Sequence, residues 1–144
     1  MKQNNKGFTL IELLAVIVIL AVIALIATPI IMGVIEDARK QADKDSAYGY
    51  IKAVEQTIAV TMTKYPSMSV VNDAQETTTV GTIACQNCPD ATGTITINYK
   101  GTTPASRQLS YSNGKISGHV KFGDTTWYIN DADGSLSDTA SSGH

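Results

Sequence analysis

The sequence predicts an α+β fold, in which one long N-terminal helix packs against a small antiparallel β-sheet. First, an uncharged apolar run over Leu13–Ile35 leads into a polar stretch that keeps helical periodicity as far as Pro66. Second, short segments of alternating apolar and polar residues, separated by turn signals, fill the C-terminal part. Residues 66–144 are few for an independent core, so we expect them to bury one face of the helix.

The apolar segment, residues 8–35, has the length of a membrane span. Within it Glu12 carries a charge, and the 23 residues that follow carry none. As a helix these residues are about 35 Å long, enough for a hydrocarbon core of about 30 Å. Lys2 and Lys6 precede the segment, so the N-terminus should stay cytoplasmic. Apolarity alone fits a plain signal anchor, but a carboxylate in such a segment needs a partner.

The residues around Glu12 form the motif Gly7-Phe8-Thr9-Leu10-Ile11-Glu12-Leu13-Leu14. With the leader lysines, this motif resembles the processing site of type IV prepilins and pseudopilins, and the resemblance covers about residues 6–60. It implies that a prepilin peptidase removes the leader 1–7 by cutting between Gly7 and Phe8, and that Phe8 is then N-methylated. It also implies that Glu12 pairs with the new α-amine of Phe8, in the family that of a neighbouring subunit. The alternative role for Glu12 is a carboxylate that reaches the membrane interface.

The second half of the predicted helix, residues 36–65, is amphipathic. It opens with a mixed charge run over 36–44, which indicates a solvated face. A single apolar stripe then recurs at spacings of three and four, at Ala47, Ile51, Val54, Ile58, Met62 and Tyr65. Pro66 should end the helix, because the residue before a proline avoids the α region.

Pro29 and Gly33 predict a helix break inside the apolar half. Proline removes one helical hydrogen bond and disturbs the turn before it. One interpretation is a tolerated kink in a transmembrane helix. The resemblance implies another, in which the stretch around and before Pro29 melts when the subunit enters a filament.

The rest of the chain divides into a connecting loop over 66–93, an antiparallel β-meander over 94–136 and a flexible tail over 137–144. Residues 94–99 alternate as a half-buried strand should. Asn113-Gly114 is a strong signal for a two-residue type I′ hairpin turn. A second turn at Gly123-Asp124 precedes the apolar residues 126–129, which gives three to four strands.

Cys85 and Cys88 form a Cys-x-x-Cys pair. If this region lies outside the membrane, a disulfide is expected, and it would make a turn rigid. The same spacing also occurs in redox motifs and zinc half-sites, and intersubunit bridges are a further interpretation. No thioredoxin-like βαβ unit surrounds the pair, and the two histidines, His119 and His144, are unsuitably spaced for zinc.

Asp131 and Asp133 place carboxylates at alternate positions, as some calcium loops do, so they are a calcium candidate beside the alternative of a polar turn. Elsewhere there is no phosphate-binding glycine loop and no grouping that suggests a catalytic triad, so we expect neither enzymatic activity nor a cofactor. Loss of Lys2 and Lys6 would leave 9 of the 11 basic residues against 13 acidic ones, a net charge of −4. This charge disfavours nonspecific DNA binding, so DNA is a partner by family analogy only.

The resemblance implies a structural subunit rather than an enzyme: a type IV pilin that polymerises into a helical surface filament for adhesion or motility. The short leader and isoleucine-rich run resemble those of Gram-positive type IV pilins. Expected partners are identical subunits, the prepilin peptidase/methyltransferase, an inner-membrane assembly platform and, before assembly, membrane lipid.

The expected location is the bacterial cytoplasmic membrane, as a single-pass protein with its N-terminus inside, and then an extracellular pilus or an envelope-spanning pseudopilus. The alternative function is a major pseudopilin of a type II secretion or competence DNA-uptake system. A membrane-tethered binding or enzymatic domain is a third interpretation, but a tether needs neither Gly7-Phe8 nor Glu12.

Overall fold

The computed structural model describes residues 7–139 of the chain. Within them a long helix precedes a series of short strands, and the chain divides after Arg39 into two compact units, Met1–Arg39 and Lys40–His144. The helix and strands are α1 Leu10–Lys64, β1 Ser69–Val70, β2 Thr82–Gln86, β3 Thr94–Thr96, β4 Ser106–Ser112, β5 Lys115–Phe122, β6 Thr125–Ile129 and β7 Leu136–Ser137. The prediction of an α+β fold with a long N-terminal helix is therefore confirmed.

Helix α1 ends where the sequence predicts, because its last residue is Lys64 and Pro66 follows shortly after. It continues through Pro29 and Gly33, so the predicted helix break is not present in the described chain. Pro29 has no N–H to bond the carbonyl four residues before it, yet α1 runs through it without interruption. The Thr28 hydroxyl donates a 2.7 Å hydrogen bond to the Ala24 carbonyl within the same stretch. Melting of this stretch on assembly stays a prediction.

The apolar half of α1 has no protein cover in the described chain. Its large side chains are exposed, from Phe8 at 89% to Ile35 at 48%. The helix is long and apolar enough to cross a membrane, and the most apolar window is 0% buried. A soluble protein rarely leaves so large an apolar surface open, which marks this half as a surface for lipid or for other helices.

Two antiparallel sheets follow the helix, one with the order β1-β2-β3 and one with the order β4-β5-β6-β7. The second sheet is the predicted meander. The predicted strand at 94–99 is shorter than expected and belongs to the first sheet, where Ile95 pairs with Ile83. The segment 66–93, predicted as a loop, contains β1 and β2. Its two strands were missed because β1 has 2 residues and β2 has 5, too few for a clear period.

Both predicted turns of the meander are present. The hairpin between β4 and β5 turns at Asn113 and Gly114, whose φ angles of 50° and 80° are those a type I′ turn requires. Gly123, with a φ of 54°, lies in the turn between β5 and β6. Gly118 has a φ of 112° inside β5, and an added Cβ there would collide with the Gln108 carbonyl oxygen. Glycine is therefore required at position 118 by the close approach of β4.

The second half of α1 supplies the core of the Lys40–His144 unit. Of the predicted stripe, Ala47, Ile51, Val54 and Ile58 are buried and Met62 packs against the core. Tyr65 is 43% exposed because it lies beyond the last residue of the helix. The stripe is also wider than predicted, since Tyr50 is 1% exposed. The sheets contribute the remaining large core residues, which include Ile83, Ile95, Leu109, Ile116, Val120, Phe122, Trp127 and Ile129.

A buried arginine ties the helix to both sheets. Arg107 of β4 is 3% exposed, and its Nη1 donates to the Tyr50 hydroxyl over 2.7 Å. Its Nη2 donates to the Thr82 carbonyl over 2.7 Å, and its Nε lies 3.2 Å from the Asp73 carboxylate. The Tyr50 hydroxyl in turn donates to the Val80 carbonyl over 2.7 Å. The guanidinium therefore joins α1, β2, β4 and the segment before β2 at one point.

The segment that carries Asp73 runs along the outer edge of β4. The Asp73 amide donates to the Leu109 carbonyl over 3.0 Å, and Thr77 and Arg107 exchange two backbone hydrogen bonds of 2.8 and 2.9 Å. The Asp73 carboxylate also accepts the Leu109 amide over 3.0 Å. A long irregular segment is thus held in place by an edge that it protects from further strand pairing.

We expect Arg107→Ala to destabilise the Lys40–His144 unit by about 3–5 kcal/mol, because Asp73, whose side chain is only 14% exposed, would keep its charge without a cation. Chemical denaturation of the full chain in detergent, followed by tryptophan fluorescence, measures this loss. The control is Lys52→Ala, which removes an exposed ion pair with Glu55 and should cost less than about 1 kcal/mol. Equal losses in both variants would contradict the assigned role of Arg107.

Stability should fall at alkaline pH through Tyr50. Burial raises the pKa of the Tyr50 phenol above its ordinary 10.0, against the opposing charge of Arg107. The neutral phenol is favoured in the folded chain, so its contribution is complete below pH 10 and is lost as the pH rises through the folded pKa. Tyr50→Phe should flatten this slope without abolishing it, because burial also raises the pKa of Tyr99. Denaturation at a series of pH values above 9 measures the two slopes; identical slopes would contradict the prediction.

Candidate functional site

The predicted cleavage point lies in a short non-helical stretch at the start of the described chain. Gly7, Phe8 and Thr9 precede α1, and Gly7 and Phe8 are both exposed. A Cβ added at Gly7 would meet nothing within 4 Å. Among the described residues, neither packing nor a positive φ requires glycine at position 7. The peptide bond between Gly7 and Phe8 is accessible to an enzyme, while the predicted leader lysines, Lys2 and Lys6, lie outside the described residues.

Thr9 and Glu12 form a capping box at the start of α1. The backbone N–H and the hydroxyl of Thr9 donate to Oε2 of Glu12 over 2.8 and 2.9 Å. The Glu12 amide donates to the Thr9 carbonyl over 3.1 Å and to the Thr9 hydroxyl over 3.4 Å. This reciprocal arrangement satisfies backbone donors that a helix start leaves open. The capping box was not predicted, although Thr9-Leu10-Ile11-Glu12 has the Thr-x-x-Glu spacing that signals it.

The capping box gives the Glu12 carboxylate a partner before any cleavage takes place. Both bonds from Thr9 use Oε2, and no described residue donates to Oε1. Glu12 is exposed, and it stands at the end of a helix whose next turns carry only apolar side chains. The carboxylate is therefore partly satisfied within its own chain and keeps one oxygen for a donor from elsewhere.

The predicted cysteine pair lies in the Lys40–His144 unit and is a disulfide. Cys85, at the end of β2, is bonded to Cys88 with a Cα–Cα separation of 5.8 Å, and the described residues include no free cysteine. The loop between them turns at Asn87, whose φ is 54°, and the Asn87 side chain donates to the Ser67 carbonyl over 3.1 Å. The crosslink closes the turn between β2 and the residues that lead to β3.

The calcium candidate forms a polar turn. The Asp133 carboxylate accepts the Ser135 amide over 2.9 Å, and hydrogen bonds from Ser135, first from its side chain and then from its backbone, lower the pKa of Asp133. The Asn130 side chain accepts the Ala132 amide over 2.9 Å. Across the described residues, no group of three or more His, Cys, Asp or Glu side chains could hold a metal ion. Calcium binding at Asp131 and Asp133 therefore stays a prediction without further support.

Comparisons with known proteins agree with the motif. Residues 2–28 match the family model of the prokaryotic N-terminal methylation motif. The chain is 42% identical over 55 residues to the type II secretion system core protein G of Dickeya chrysanthemi. That match spans 38% of this chain and 33% of the curated relative. No solved structure matches the chain significantly. The predicted resemblance at the N-terminus is therefore confirmed.

We expect Thr9→Val to open the start of α1, because it removes the hydroxyl that bonds Glu12. The loss of such a cap costs about 1 kcal/mol, so the amides of residues 11–13 should exchange roughly fivefold faster. Hydrogen exchange of the full chain in detergent micelles, read by mass spectrometry, measures this. Thr9→Ser keeps the hydroxyl and is the matched control, so an equal change in both variants would contradict the capping role.

Proposed function

We propose that this chain, whose N-terminal segment is that of the type IV pilin and pseudopilin family, is a structural filament subunit. In this proposal a prepilin peptidase/methyltransferase cuts between Gly7 and Phe8 and methylates the new N-terminus. The mature chain then polymerises through α1 into a helical surface filament for adhesion or motility. The observation that carries the proposal is the methylation motif over residues 2–28, joined to an apolar helix half that no other described residue covers.

The exposed glycine supports the processing step. Gly7 lies outside α1 in an accessible stretch, and none of the described atoms requires glycine there. Because the fold does not require glycine at this position, recognition by the processing peptidase would account for it. Cleavage after Gly7 converts the backbone N–H of Phe8 into an ammonium group, which supplies a positive charge close to Glu12.

The capping geometry supports the pairing step. Oε2 of Glu12 is occupied by Thr9, whereas no described residue donates to Oε1. An ammonium from a neighbouring subunit can therefore approach Oε1 without displacing Thr9. In a low-dielectric environment this pair offsets much of the cost of placing a carboxylate among apolar residues. Repetition of the same contact from subunit to subunit is heterologous, so it produces an open filament rather than a closed ring.

In this proposal the apolar half of α1 is covered in turn by two different environments. Before assembly, lipid covers its exposed side chains, with the N-terminus on the cytoplasmic side of the bacterial membrane. After extraction by a membrane assembly platform, the helices of identical subunits cover the same surface. Ala15, Ala21, Ala24 and Ala27 give the helix small residues that allow close approach.

A second candidate function is favoured by the relative named a type II secretion system core protein. In that case the same subunit would form a short envelope-spanning pseudopilus of a secretion or DNA-uptake system. Electron microscopy of surface fibres, with this chain identified by mass spectrometry in sheared material, distinguishes the two. Long fibres containing the chain support a pilus, and their absence in secreting or competent cells supports a pseudopilus.

We expect Glu12→Ala to leave membrane insertion and cleavage intact but to lower filament yield at least about tenfold, because it leaves the ammonium without a partner. Glu12→Gln is the informative companion, since it keeps an oxygen for Thr9 and removes only the charge. Filament yield is measured in the sheared surface fraction, and processing by mass spectrometry of the N-terminus. A normal yield from Glu12→Gln would exclude charge pairing as the basis of assembly.

We expect Gly7→Val to block cleavage, so that the full leader persists and no filament forms. The chain should nevertheless fold normally, because a side chain at position 7 meets no described atom within 4 Å. Mass spectrometry of membrane-extracted protein measures the retained leader. A normally processed Gly7→Val chain would favour a membrane-tethered domain over a filament subunit.

A further inference from the structure

The turn between β4 and β5 contains a side chain and a backbone nitrogen that can react with each other. Asn113 and Gly114 form this turn, and both are exposed. The side chain of an asparagine carries an electrophilic carbon, Cγ, and the backbone nitrogen of the next residue is the nucleophile closest to it. Attack of that nitrogen on Cγ closes a succinimide ring. The reaction requires a side chain that is free to turn and a backbone N–H that is open to solvent.

Most asparagines of the chain do not meet these requirements. Five of them lie among the described residues, and three of these five have a side chain held by a hydrogen bond. The partners are the Tyr111 amide for Asn72 at 2.8 Å, the Ser67 carbonyl for Asn87 at 3.1 Å and the Ala132 amide for Asn130 at 2.9 Å. A side chain fixed in this way is not available for ring closure.

The two remaining asparagines differ in the amide that follows them. After Asn98, the Tyr99 amide donates to the Ile97 carbonyl over 3.1 Å, so the nucleophile is already used. At Asn113, neither the side chain nor the Gly114 amide has a hydrogen-bond partner among the described residues. A Cβ added at Gly114 would meet nothing within 4 Å, so the turn is open to water. Glycine also leaves the attacking nitrogen without a neighbouring side chain and allows its backbone to rotate.

We propose that Asn113 is a site of spontaneous covalent modification, at which the Gly114 nitrogen displaces ammonia from the asparagine side chain. The Gly114 amide gives its proton to solvent, the bond from its nitrogen to Cγ forms, and the bond from Cγ to Nδ2 breaks. Ammonia leaves with a proton taken from water. Water then adds to either carbonyl of the succinimide, and the bond from that carbonyl to the ring nitrogen breaks. The net change is one water taken up and one ammonia released, without oxidation or reduction.

The hairpin sets the rate of this reaction. Ring closure rotates the central peptide of the turn away from its type I′ orientation, so the terminal pair of the hairpin, Ser112 and Lys115, must separate. Both residues are exposed, and pairs at an exposed end open at little cost in free energy. The next pair, Tyr111 and Ile116, packs on the core and should stay closed. The reaction therefore needs the opening of one pair and not the unfolding of the unit.

The two products should affect the hairpin differently. Hydrolysis at Cγ gives aspartate at position 113, and an Asp-Gly turn also adopts type I′ geometry. Hydrolysis at the main-chain carbonyl gives isoaspartate, which inserts a carbon atom into the backbone of a two-residue loop. Isoaspartate should therefore disrupt the pair of Ser112 with Lys115. Only the hairpin takes part, so the modification does not depend on the proposed function.

Incubation of the full chain in detergent, in water enriched in heavy oxygen, tests the proposal. The heavy oxygen labels conversion during incubation and separates it from conversion during sample handling. Cleavage after Arg107 and Lys115 then releases residues 108–115 for mass spectrometry. We expect Asn113 to convert ahead of the four other described asparagines, at a rate that rises with pH. The isolated peptide 108–115, which has no hairpin, should convert faster still. An unmodified Asn113 under conditions in which the peptide converts, or conversion no faster than at Asn98, would overturn the proposal.

Two substitutions should change the rate in opposite directions. Gly114→Ala places a methyl group beside the attacking nitrogen, so conversion should slow at least about tenfold. Tyr111→Ala keeps the Asn-Gly pair but weakens the cross-strand contact with Ile116, so conversion should rise about threefold. Rates unchanged by both substitutions would contradict the assigned chemistry and the role of the hairpin.

A further comparison tests the predicted effect of isoaspartate. A protease that cuts before aspartate but not before isoaspartate measures the share of each product. A chain aged until isoaspartate predominates should unfold at a lower denaturant concentration than the fresh chain. Asn113→Asp, which adds the same charge without the extra backbone atom, should unfold with the fresh chain. Equal destabilisation of the Asn113→Asp chain and the aged chain would contradict the backbone effect.

Discussion

Burial of one face of α1 is the interaction on which the Lys40–His144 unit depends. The two sheets are small, and their strands have between 2 and 8 residues, too few to enclose a core of their own. The helix contributes Tyr50, Val54 and Ile58, each at most 2% exposed, and Arg107 fixes the position of Tyr50 relative to both sheets. A buried guanidinium is costly unless every donor finds a partner. Here Tyr50, Asp73 and the Thr82 carbonyl give each of the three guanidinium nitrogens a partner, so the network defines one arrangement of helix and sheets.

The first half of the same helix has the opposite requirement, because its apolar face is not covered by the described chain. In the described part of the Met1–Arg39 unit the large apolar side chains are exposed, so the surface they form must be covered by something outside the chain. The capping box explains how a carboxylate is kept in such a segment. Thr9 holds Oε2 of Glu12, which lowers the cost of the charge without removing its ability to attract a cation. If the charge were fully compensated within its own chain, it would add little attraction to a neighbouring subunit.

Some of these structural features could be predicted from the sequence and others could not. The helix end before Pro66 and the Asn113-Gly114 hairpin are local signals, and each was predicted correctly. The resemblance carried by Gly7–Glu12 is local too, and it agrees with the matched family model. Strands β1 and β2 were missed because their stability comes from pairing with residues distant in sequence, which a short period does not reveal. The role of Arg107 was not readable at all, because an arginine among polar neighbours usually indicates an exposed position. Tyr50 was missed because the predicted stripe went from Ala47 to Ile51, a spacing of four. It left out Tyr50, which lies three residues after Ala47 and is also on the buried face.

The filament contact proposed for this chain follows from where the charge of Glu12 remains unsatisfied. At the N-terminus the unsatisfied group is one oxygen of a carboxylate, and its complement, an ammonium, is a different group. A contact between different groups propagates in one direction and forms a filament.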